Sequence, residues 1–259
     1  MSKSIRVALV QMQCEKNRLT RNLRKIACYV NLAAEARTDI VCFPELSITG
    51  YTNPIKYPRI VQYADSRMMK KFYSFTKSKH IIAIAGFIEK NYNGKPFISQ
   101  AVAASGKLVG VYRKRNTAPN EKKWFAKSSN IPIFNTENGI KFGISICADT
   151  KKEESFRDAA QLGAKIVFHA SAPGLYGKRR KTHDDWMRGY RWWQKECHKH
   201  LSKYAKKNKI FIVSTTQCCS TIDEDFPGGM YIFSPNGNCI CQSNNYTESS
   251  LICEIPIGE

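Results

Sequence analysis

The sequence predicts an α/β fold in which a mixed sheet, or two packed sheets, is covered by helices. Short β-branched runs alternate with helical patterns early in the chain, while hairpin patterns appear in the middle and at the end. Several strand candidates are apolar throughout, which is typical of strands buried on both faces. The 259 residues contain no internal repeat and no Pro/Gly-rich linker, so we expect a single domain over residues 1–259.

The first half of the chain predicts two buried strands separated by an amphipathic helix. The strands are residues 5–11 and 39–43, and Pro44 ends the second. Apolar residues at helical spacing predict one buried helix face: Leu23, Ile26, Ala27, Val30, Ala33 and Ala34. The elements that follow are a helix at 66–79, a strand at 81–89, and a hairpin of 97–105 and 108–113 that turns at Gly106-Lys107.

The second half continues this alternation and closes with a hairpin and a last strand. The predicted strands are 131–134, 140–146, 165–171, 210–217 and 251–257. Helices are predicted at 153–162 and, as a long basic helix, at 184–207. The segment 228–243 predicts a hairpin that turns at Pro235-Asn236-Gly237.

The chain is strongly basic, with a formal net charge of +20. Twelve Lys or Arg residues lie between Lys178 and Lys209, against three acids. We expect this to be a solvated, lysine-rich surface and do not expect a nucleic-acid partner. Residues 188–200, however, interleave basic and aromatic side chains, which leaves a basic binding face open as an alternative.

The hydropathy pattern excludes a membrane protein. No apolar run approaches the roughly 20 residues that span a bilayer, so we expect no membrane partner. The apolar run at residues 7–10 is shorter than the core of a secretory signal peptide. We therefore expect a cytoplasmic protein whose ten cysteines are mostly reduced.

Three predicted strands end at residues suited to one chemistry. Glu45 follows the strand at 39–43, Lys114 follows the hairpin, and Cys147 follows the strand at 140–146. A thiolate attacks a carbonyl or nitrile carbon, a carboxylate transfers protons, and an ammonium stabilises the oxyanion. Taken singly, each residue is more often a packing or surface residue, so spacing alone leaves this site a hypothesis.

The motifs around these residues resemble those of the nitrilase superfamily, the carbon–nitrogen hydrolases. The resemblance rests on "VALVQM", "DIVCFPELSITGY", "GKLVGVYRKRN" and "GISICAD", and continues through "LGAKIVFHASA" to "FPGGMYIFSPNGNCI". These motifs occur in the family's order from about residue 5 to residue 241. The resemblance implies a four-layer αββα sandwich, a homodimer or larger homo-oligomer, and no metal or organic cofactor.

The resemblance also implies roles for individual residues. Glu45 matches the general base, Lys114 the residue that stabilises the tetrahedral intermediate, and Cys147 the nucleophile. Glu121, in "PNEKKWF", matches a second glutamate that positions the substrate and Lys114. Further residues are expected to bind the substrate: Tyr51, Ala148, Asp149, Ser171, Ala172 and Trp186.

The substrate stays open at this point. The implied function is hydrolysis of a linear non-peptide C–N bond in a small amide, carbamoyl or ω-amide compound through a Cys147 thioester. Nitrile hydrolysis, acyl transfer at the same site, and a catalytically dormant basic binding protein are the alternatives. The sequence departs from the family just after the nucleophile, where Lys151-Lys152 replace the usual pattern. A metal site at Cys197, His198 and His200 is not expected, because these positions do not share one helix face.

Overall fold

The computed structural model of the protein describes residues 3–258, apart from the side chain of Lys3. The strands of the first half are β1 (Lys3–Gln11), β2 (Ile40–Cys42), β3 (Ile82–Glu89), β4 (Phe97–Ala104), β5 (Lys107–Arg113) and β6 (Phe134–Asn135). Those of the second half are β7 (Lys141–Ile146), β8 (Ile166–Ser171), β9 (Phe211–Thr216), β10 (Cys218–Ser220), β11 (Asp225–Pro227), β12 (Met230–Phe233), β13 (Cys239–Gln242) and β14 (Ser249–Ile257). The α-helices are α1 (Leu19–Glu35), α2 (Arg67–Ser74), α3 (Glu154–Gln161) and α4 (His183–Asn208).

Two six-stranded sheets carry the fold, and their central strands are arranged in the same way. The first sheet has the order β14-β1-β2-β3-β4-β5 and the second the order β13-β12-β9-β8-β7-β6. In each sheet three successive strands are parallel and the following two add as antiparallel neighbours. The parallel strands are β1, β2 and β3 in one sheet and β7, β8 and β9 in the other, so their carboxyl ends lie at one edge of each sheet.

The two sheets pack face to face, and helices cover their outer faces. Val7 and Ile84 of the first sheet share one apolar cluster with Ile144 and Phe168 of the second. A second cluster joins the first sheet to α1 and α2, and a third joins the second sheet to α3 and α4. Burying each large apolar side chain contributes about 1.5–3 kcal/mol. The predicted αββα sandwich is confirmed.

The long helix α4 is defined by its ends as well as by its apolar face. The Thr182 hydroxyl accepts a hydrogen bond from the Asp185 N–H, and the Asp185 carboxylate accepts one from the Thr182 N–H. This reciprocal cap satisfies two backbone donors at the start of the helix. The helix ends at Lys209, whose φ of 55° is left-handed.

Some predicted bounds are wrong in detail. The strand predicted at 131–134 is only β6, and the helix predicted at 66–79 already ends at Ser74. The hairpin between β4 and β5 turns at Ser105-Gly106, one residue early, where φ is 51° and 78°. No sequence pattern predicted the short strands β10 and β11. Within residues 3–258 no helix is long and apolar enough to span a membrane.

Candidate active site

Glu45 lies in a tight turn that follows β2. Its side chain is fully buried, and the next residue, Leu46, has a left-handed φ of 52°. Gly86 of β3 makes room for this turn, because a Cβ at that position would lie 2.2 Å from the Leu46 nitrogen. The Ser47 hydroxyl accepts a hydrogen bond from the Gly86 N–H at 3.0 Å. The turn is therefore fixed to the neighbouring strand.

Lys114 follows β5 and reaches the same buried point. Its Nζ donates to Glu45 Oε1 at 2.6 Å and to Glu121 Oε1 at 2.8 Å. The Lys114 side chain has no solvent exposure. One ammonium thus lies between two carboxylates, and two of its three N–H donors are used.

Glu121 is held by the chain around it as well as by the lysine. Its Oε1 also accepts a hydrogen bond from the Tyr51 hydroxyl at 2.7 Å, and its Oε2 accepts one from the Ala118 N–H at 2.7 Å. Three donors therefore fix the carboxylate beside Lys114. Tyr51 acts here through Glu121 and also borders a neighbouring cavity with Asn120 and Trp124.

Cys147 begins a short 3₁₀ helix, Cys147–Lys151, directly after β7. Its φ of 40° is rare for a residue other than glycine. Backbone strain of this kind persists only where the surrounding structure holds it, and it is common at reactive residues. The Cys147 side chain is partly exposed, whereas Glu45 and Lys114 are buried.

Asp149 holds the Cys147 turn in place. Its carboxylate accepts hydrogen bonds from the Ile146 N–H at 2.9 Å and the Tyr112 hydroxyl at 2.8 Å. The backbone N–H groups of Arg115 and Asn116 donate to its other oxygen at 3.1 and 2.7 Å. The buried carboxylate thus ties the Cys147 turn to the segment after Lys114, and protein donors occupy both of its oxygens. A substrate contact of Asp149 stays a prediction.

The thiol of Cys147 meets the charged cluster at Glu45. The thiol lies beside the Glu45 carboxylate and the backbone N–H of Ala172, and both groups act on its pKa. The same Ala172 N–H donates to Glu45 Oε2 at 3.0 Å. Ala172 follows β8, so the second sheet supplies both the thiol and an amide that orients the carboxylate.

Burial decides the protonation of the two reacting groups. It raises the pKa of the Cys147 thiol above its ordinary value, and the charge of Glu45 raises it further. Burial also raises the pKa of Glu45 to about 7, against the opposing effect of Lys114 and with a further rise from Glu121. At rest the cysteine is therefore a thiol, and above neutral pH the glutamate is a carboxylate.

The two other groups of the cluster, Lys114 and Glu121, stay charged at neutral pH. Burial lowers the pKa of Lys114, but Glu45 and Glu121 outweigh it and raise that pKa above the ordinary value. Burial raises the pKa of Glu121, but Lys114, with hydrogen bonds from Tyr51 and the Ala118 N–H, brings it below the ordinary value. A buried cation paired in this way stays protonated at neutral pH.

A cavity of about 380 Å³ opens at Cys147. Ala148 lines it, and so do residues after β5, β7 and β8, one residue of β8 and residues of α4: Ala118, Thr150, Lys151, His169, Pro173, Gly174, Tyr176, Trp192, Trp193, Glu196, Cys197, His200 and Leu201. Trp186 lies elsewhere, since its ring stacks on Tyr246 at 5.4 Å. The Ser171 hydroxyl is buried against His169 Nε2 at 2.7 Å. Trp186 and Ser171 therefore each contact a protein side chain, and their substrate contacts stay predictions.

His169 is a site residue that the sequence did not single out. It lies in β8 and hydrogen-bonds to Ser145 and Ser171 at 3.1 and 2.7 Å. Burial and the nearby charge of Lys114 lower its pKa to about 3, so the imidazole is neutral. The available signal was an ionisable residue inside the apolar run at 165–171. No group of three or more His, Cys, Asp or Glu residues suited to a metal ion occurs within residues 3–258.

Comparisons with known proteins agree with this geometry. The chain is 26% identical over 263 residues to glutamine-dependent NAD(+) synthetase from Acinetobacter baylyi, covering 99% of this chain and 45% of that protein. It is 24% identical over 273 residues to citrullinase from Francisella tularensis, covering 99% and 90%. The chain thus spans about half the length of the NAD(+) synthetases that it matches.

A solved structure supports the fold. An amidase of the nitrilase superfamily from Nesterenkonia AN1 superimposes with a TM-score of 0.82 at 20% identity, covering 97% of this chain and 90% of that one. Residues 6–259 match the family described as carbon-nitrogen hydrolase, which is nearly the whole chain. The chain therefore belongs to the carbon–nitrogen hydrolase family.

Proposed function

We propose that this protein hydrolyses a linear non-peptide C–N bond of a small amide or carbamoyl compound through a thioester at Cys147. The observation that carries the proposal is the position of the Cys147 thiol beside the buried Glu45 carboxylate, which also accepts a hydrogen bond from Lys114. Cys147 lines a cavity, while the side chains of Glu45 and Lys114 are shielded from water. A nucleophile and a base in contact are the parts that acyl transfer needs.

Glu45 acts first as the general base. Because the raised pKa of Cys147 keeps it a thiol at neutral pH, the sulfur attacks only if a base removes its proton. Glu45 accepts that proton as the sulfur forms a bond to the substrate carbon, and the carbonyl π electrons move to oxygen. A base with a pKa of about 7 is well matched to this transfer near neutral pH.

Lys114 stabilises the oxyanion that results. Two of its N–H donors are used by Glu45 and Glu121, which leaves the third for the substrate oxygen. The N–H of Ala148 supplies a second donor, since the first amides of a helix have no partner inside it. Removing one such donor typically lowers kcat by about 10²–10³-fold.

The second half of the reaction returns the enzyme to its starting state. Protonated Glu45 gives its proton to the leaving nitrogen as the C–N bond breaks, and ammonia or an amine departs. The acyl group then remains on Cys147 as a thioester. Glu45 next removes a proton from water, the hydroxyl oxygen bonds to the acyl carbon, and the sulfur leaves and recovers the proton.

The test is ammonia release from a panel of amides, carbamoyl compounds and nitriles. Glutamine and citrulline belong in the panel, because relatives are named for dependence on one and for hydrolysis of the other. We expect turnover with at least one amide or carbamoyl compound, and none in Cys147→Ala at wild-type thermal stability. Glu45→Gln should lose turnover without accumulating an acyl adduct on Cys147, because no base then removes the thiol proton; mass spectrometry checks this. Full activity of Cys147→Ala would refute the proposal.

Two outcomes of the same panel separate the alternatives. If added hydroxylamine diverts most of the product to a hydroxamate without lowering turnover, the enzyme transfers its acyl group to amines. If only nitriles release ammonia, the substrate class is wrong while the Cys147 chemistry stands.

A further inference from the structure

Two charged side chains line the cavity at Cys147 without a charged partner of their own. Lys151 and Glu196 both border this cavity. Within residues 3–258, neither forms an ion pair with an Asp, Glu, Lys or Arg side chain. Lys151 is exposed and the Glu196 side chain is 36% exposed, so both charges are open to solvent and to a molecule in the cavity. The two residues therefore offer one positive and one negative contact to a bound molecule.

Glu196 is an acidic side chain on the strongly basic helix α4. The chain has 41 Lys and Arg against 21 Asp and Glu, so basic partners are plentiful. Lys199 lies three residues further along α4, at a spacing that commonly forms an ion pair. The Glu196 carboxylate instead has His200 as its nearest basic neighbour, at 3.6 Å, and its side chain is 36% exposed. It is thus turned toward the cavity and is available to a cation there.

Lys151 is placed by the same turn that places the nucleophile. It is the last residue of the 3₁₀ helix that Cys147 begins. Asp149 fixes this turn through four hydrogen bonds, so the backbone of Lys151 is held relative to the thiol. Lys152, the next residue, is exposed and serves as a matched neighbour.

We propose that Glu196 and Lys151 select a zwitterionic substrate, an α-amino acid whose side chain ends in an amide or ureido group. Glu196 binds the α-ammonium, Lys151 binds the α-carboxylate, and the terminal C–N bond lies at Cys147. Trp192 and Leu201 give the methylene groups an apolar wall. A cavity of about 380 Å³ is at the small end of ligand sites, which suits a single amino acid. This inference rests on the function proposed above.

The experiment uses four amides that share a butanamide unit. L-Glutamine carries both charges, 4-aminobutanamide only the ammonium, 4-carbamoylbutanoate only the carboxylate, and butanamide neither. We expect wild-type kcat/KM to fall roughly tenfold or more with each charge removed. In Glu196→Gln the ratio of kcat/KM for L-glutamine to that for 4-carbamoylbutanoate should fall about tenfold. In Lys151→Met the ratio of kcat/KM for L-glutamine to that for 4-aminobutanamide should fall about tenfold.

Matched controls separate charge recognition from structural damage. Lys152→Met and Glu35→Gln make the same substitutions at exposed positions away from the cavity and should leave both ratios as in wild type. A wild-type enzyme that hydrolyses butanamide as well as L-glutamine would overturn the proposal. So would a Glu196→Gln variant that slows all four amides in parallel. If removing one of the two charges leaves the wild-type kcat/KM unchanged, the substrate carries a single charge, and the proposal of a zwitterionic substrate is wrong.

Binding without turnover keeps the two proposals distinguishable. In Cys147→Ala, calorimetry should detect L-glutamine binding that weakens about tenfold or more when Glu196→Gln is added. If binding follows this pattern but no amide is hydrolysed by the wild type, the recognition proposal stands and the proposed reaction fails. If hydrolysis depends on Cys147 while binding ignores both charges, the recognition proposal fails alone.

Discussion

The two sheets repeat one strand arrangement but contribute different parts of the site. Loops of the first sheet supply Glu45 and Lys114, which are fully buried and paired with each other. Loops of the second sheet supply Cys147, which is partly exposed, and the backbone N–H of Ala172. The first sheet thus holds charge, and the second presents a reactive group to the cavity.

This difference implies that the two sides fail in different ways. A buried charge that loses its partner is strongly destabilising, so the first side depends on one ammonium between two carboxylates. The Cys147 turn is fixed by several hydrogen bonds to Asp149, most of them from backbone N–H groups. Single side-chain changes should therefore cost more stability on the first side than on the second.

The largest expected effect is that of Lys114→Met. Removing the ammonium leaves two buried carboxylates facing each other, so we expect a loss of about 3–5 kcal/mol in the free energy of unfolding. Urea denaturation followed by circular dichroism measures it. Cys147→Ala removes the reactive group of the other side, and we expect its unfolding midpoint to stay within experimental error of wild type. Equal midpoints for the two variants would contradict the comparison.

A glycine in each sheet tests the same contrast through packing. Gly86→Ala places a Cβ 2.2 Å from the Leu46 nitrogen, a backbone atom of the Glu45 turn. We expect it to cost about 2–3 kcal/mol and to lower kcat about a hundredfold, because the base is displaced. At Gly143 of the second sheet the closest contact would be 3.0 Å, to the Ala159 side chain. Gly143→Ala is the matched control, with an expected cost of about 1 kcal/mol and wild-type kcat.

The pH dependence of activity reports on the first side alone. Glu45 accepts a proton only when ionised, so kcat/KM should fall as pH falls through about 7, the raised pKa of this carboxyl. The charge of Glu121 contributes to that rise. Glu121→Gln removes this charge, so the acid limb of the profile should move to lower pH even though maximal activity drops. A limb that stays in place would assign the titration to another group.

Much of this division was predictable from the sequence, because strand ends and motifs are local. Glu45, Lys114 and Cys147 each follow an apolar run, and the motifs around them have the order of the family. Parallel strands place their carboxyl ends at one edge, which brings such residues together. The bounds of the long, strongly patterned elements β3 and α4 were close to those predicted.

The parts that were missed depend on contacts between distant segments. The sequence places Asp149 next to Cys147 but does not show its hydrogen-bond partners, which come from the end of β5 and the segment after it. Trp186 and Trp192 are both aromatic residues of one basic helix, and only packing decides that Trp192 faces the cavity. A helix pattern locates a face but does not say which neighbour that face meets.

The smallest expected effects come from two tyrosines, each of which donates to a carboxylate of a different side. Tyr51 donates to Glu121 at 2.7 Å and Tyr112 donates to Asp149 at 2.8 Å. Tyr51→Phe and Tyr112→Phe remove matched hydrogen bonds to carboxylates, each worth about 1.5–3 kcal/mol at most. Since Glu121 contacts Lys114 directly, Tyr51→Phe should lower kcat several-fold, whereas Tyr112→Phe should mainly lower stability because three backbone donors still hold Asp149. Steady-state kinetics and urea denaturation on both variants decide it, and an equal fall in kcat would mean that the two sides are coupled more tightly than their contacts indicate.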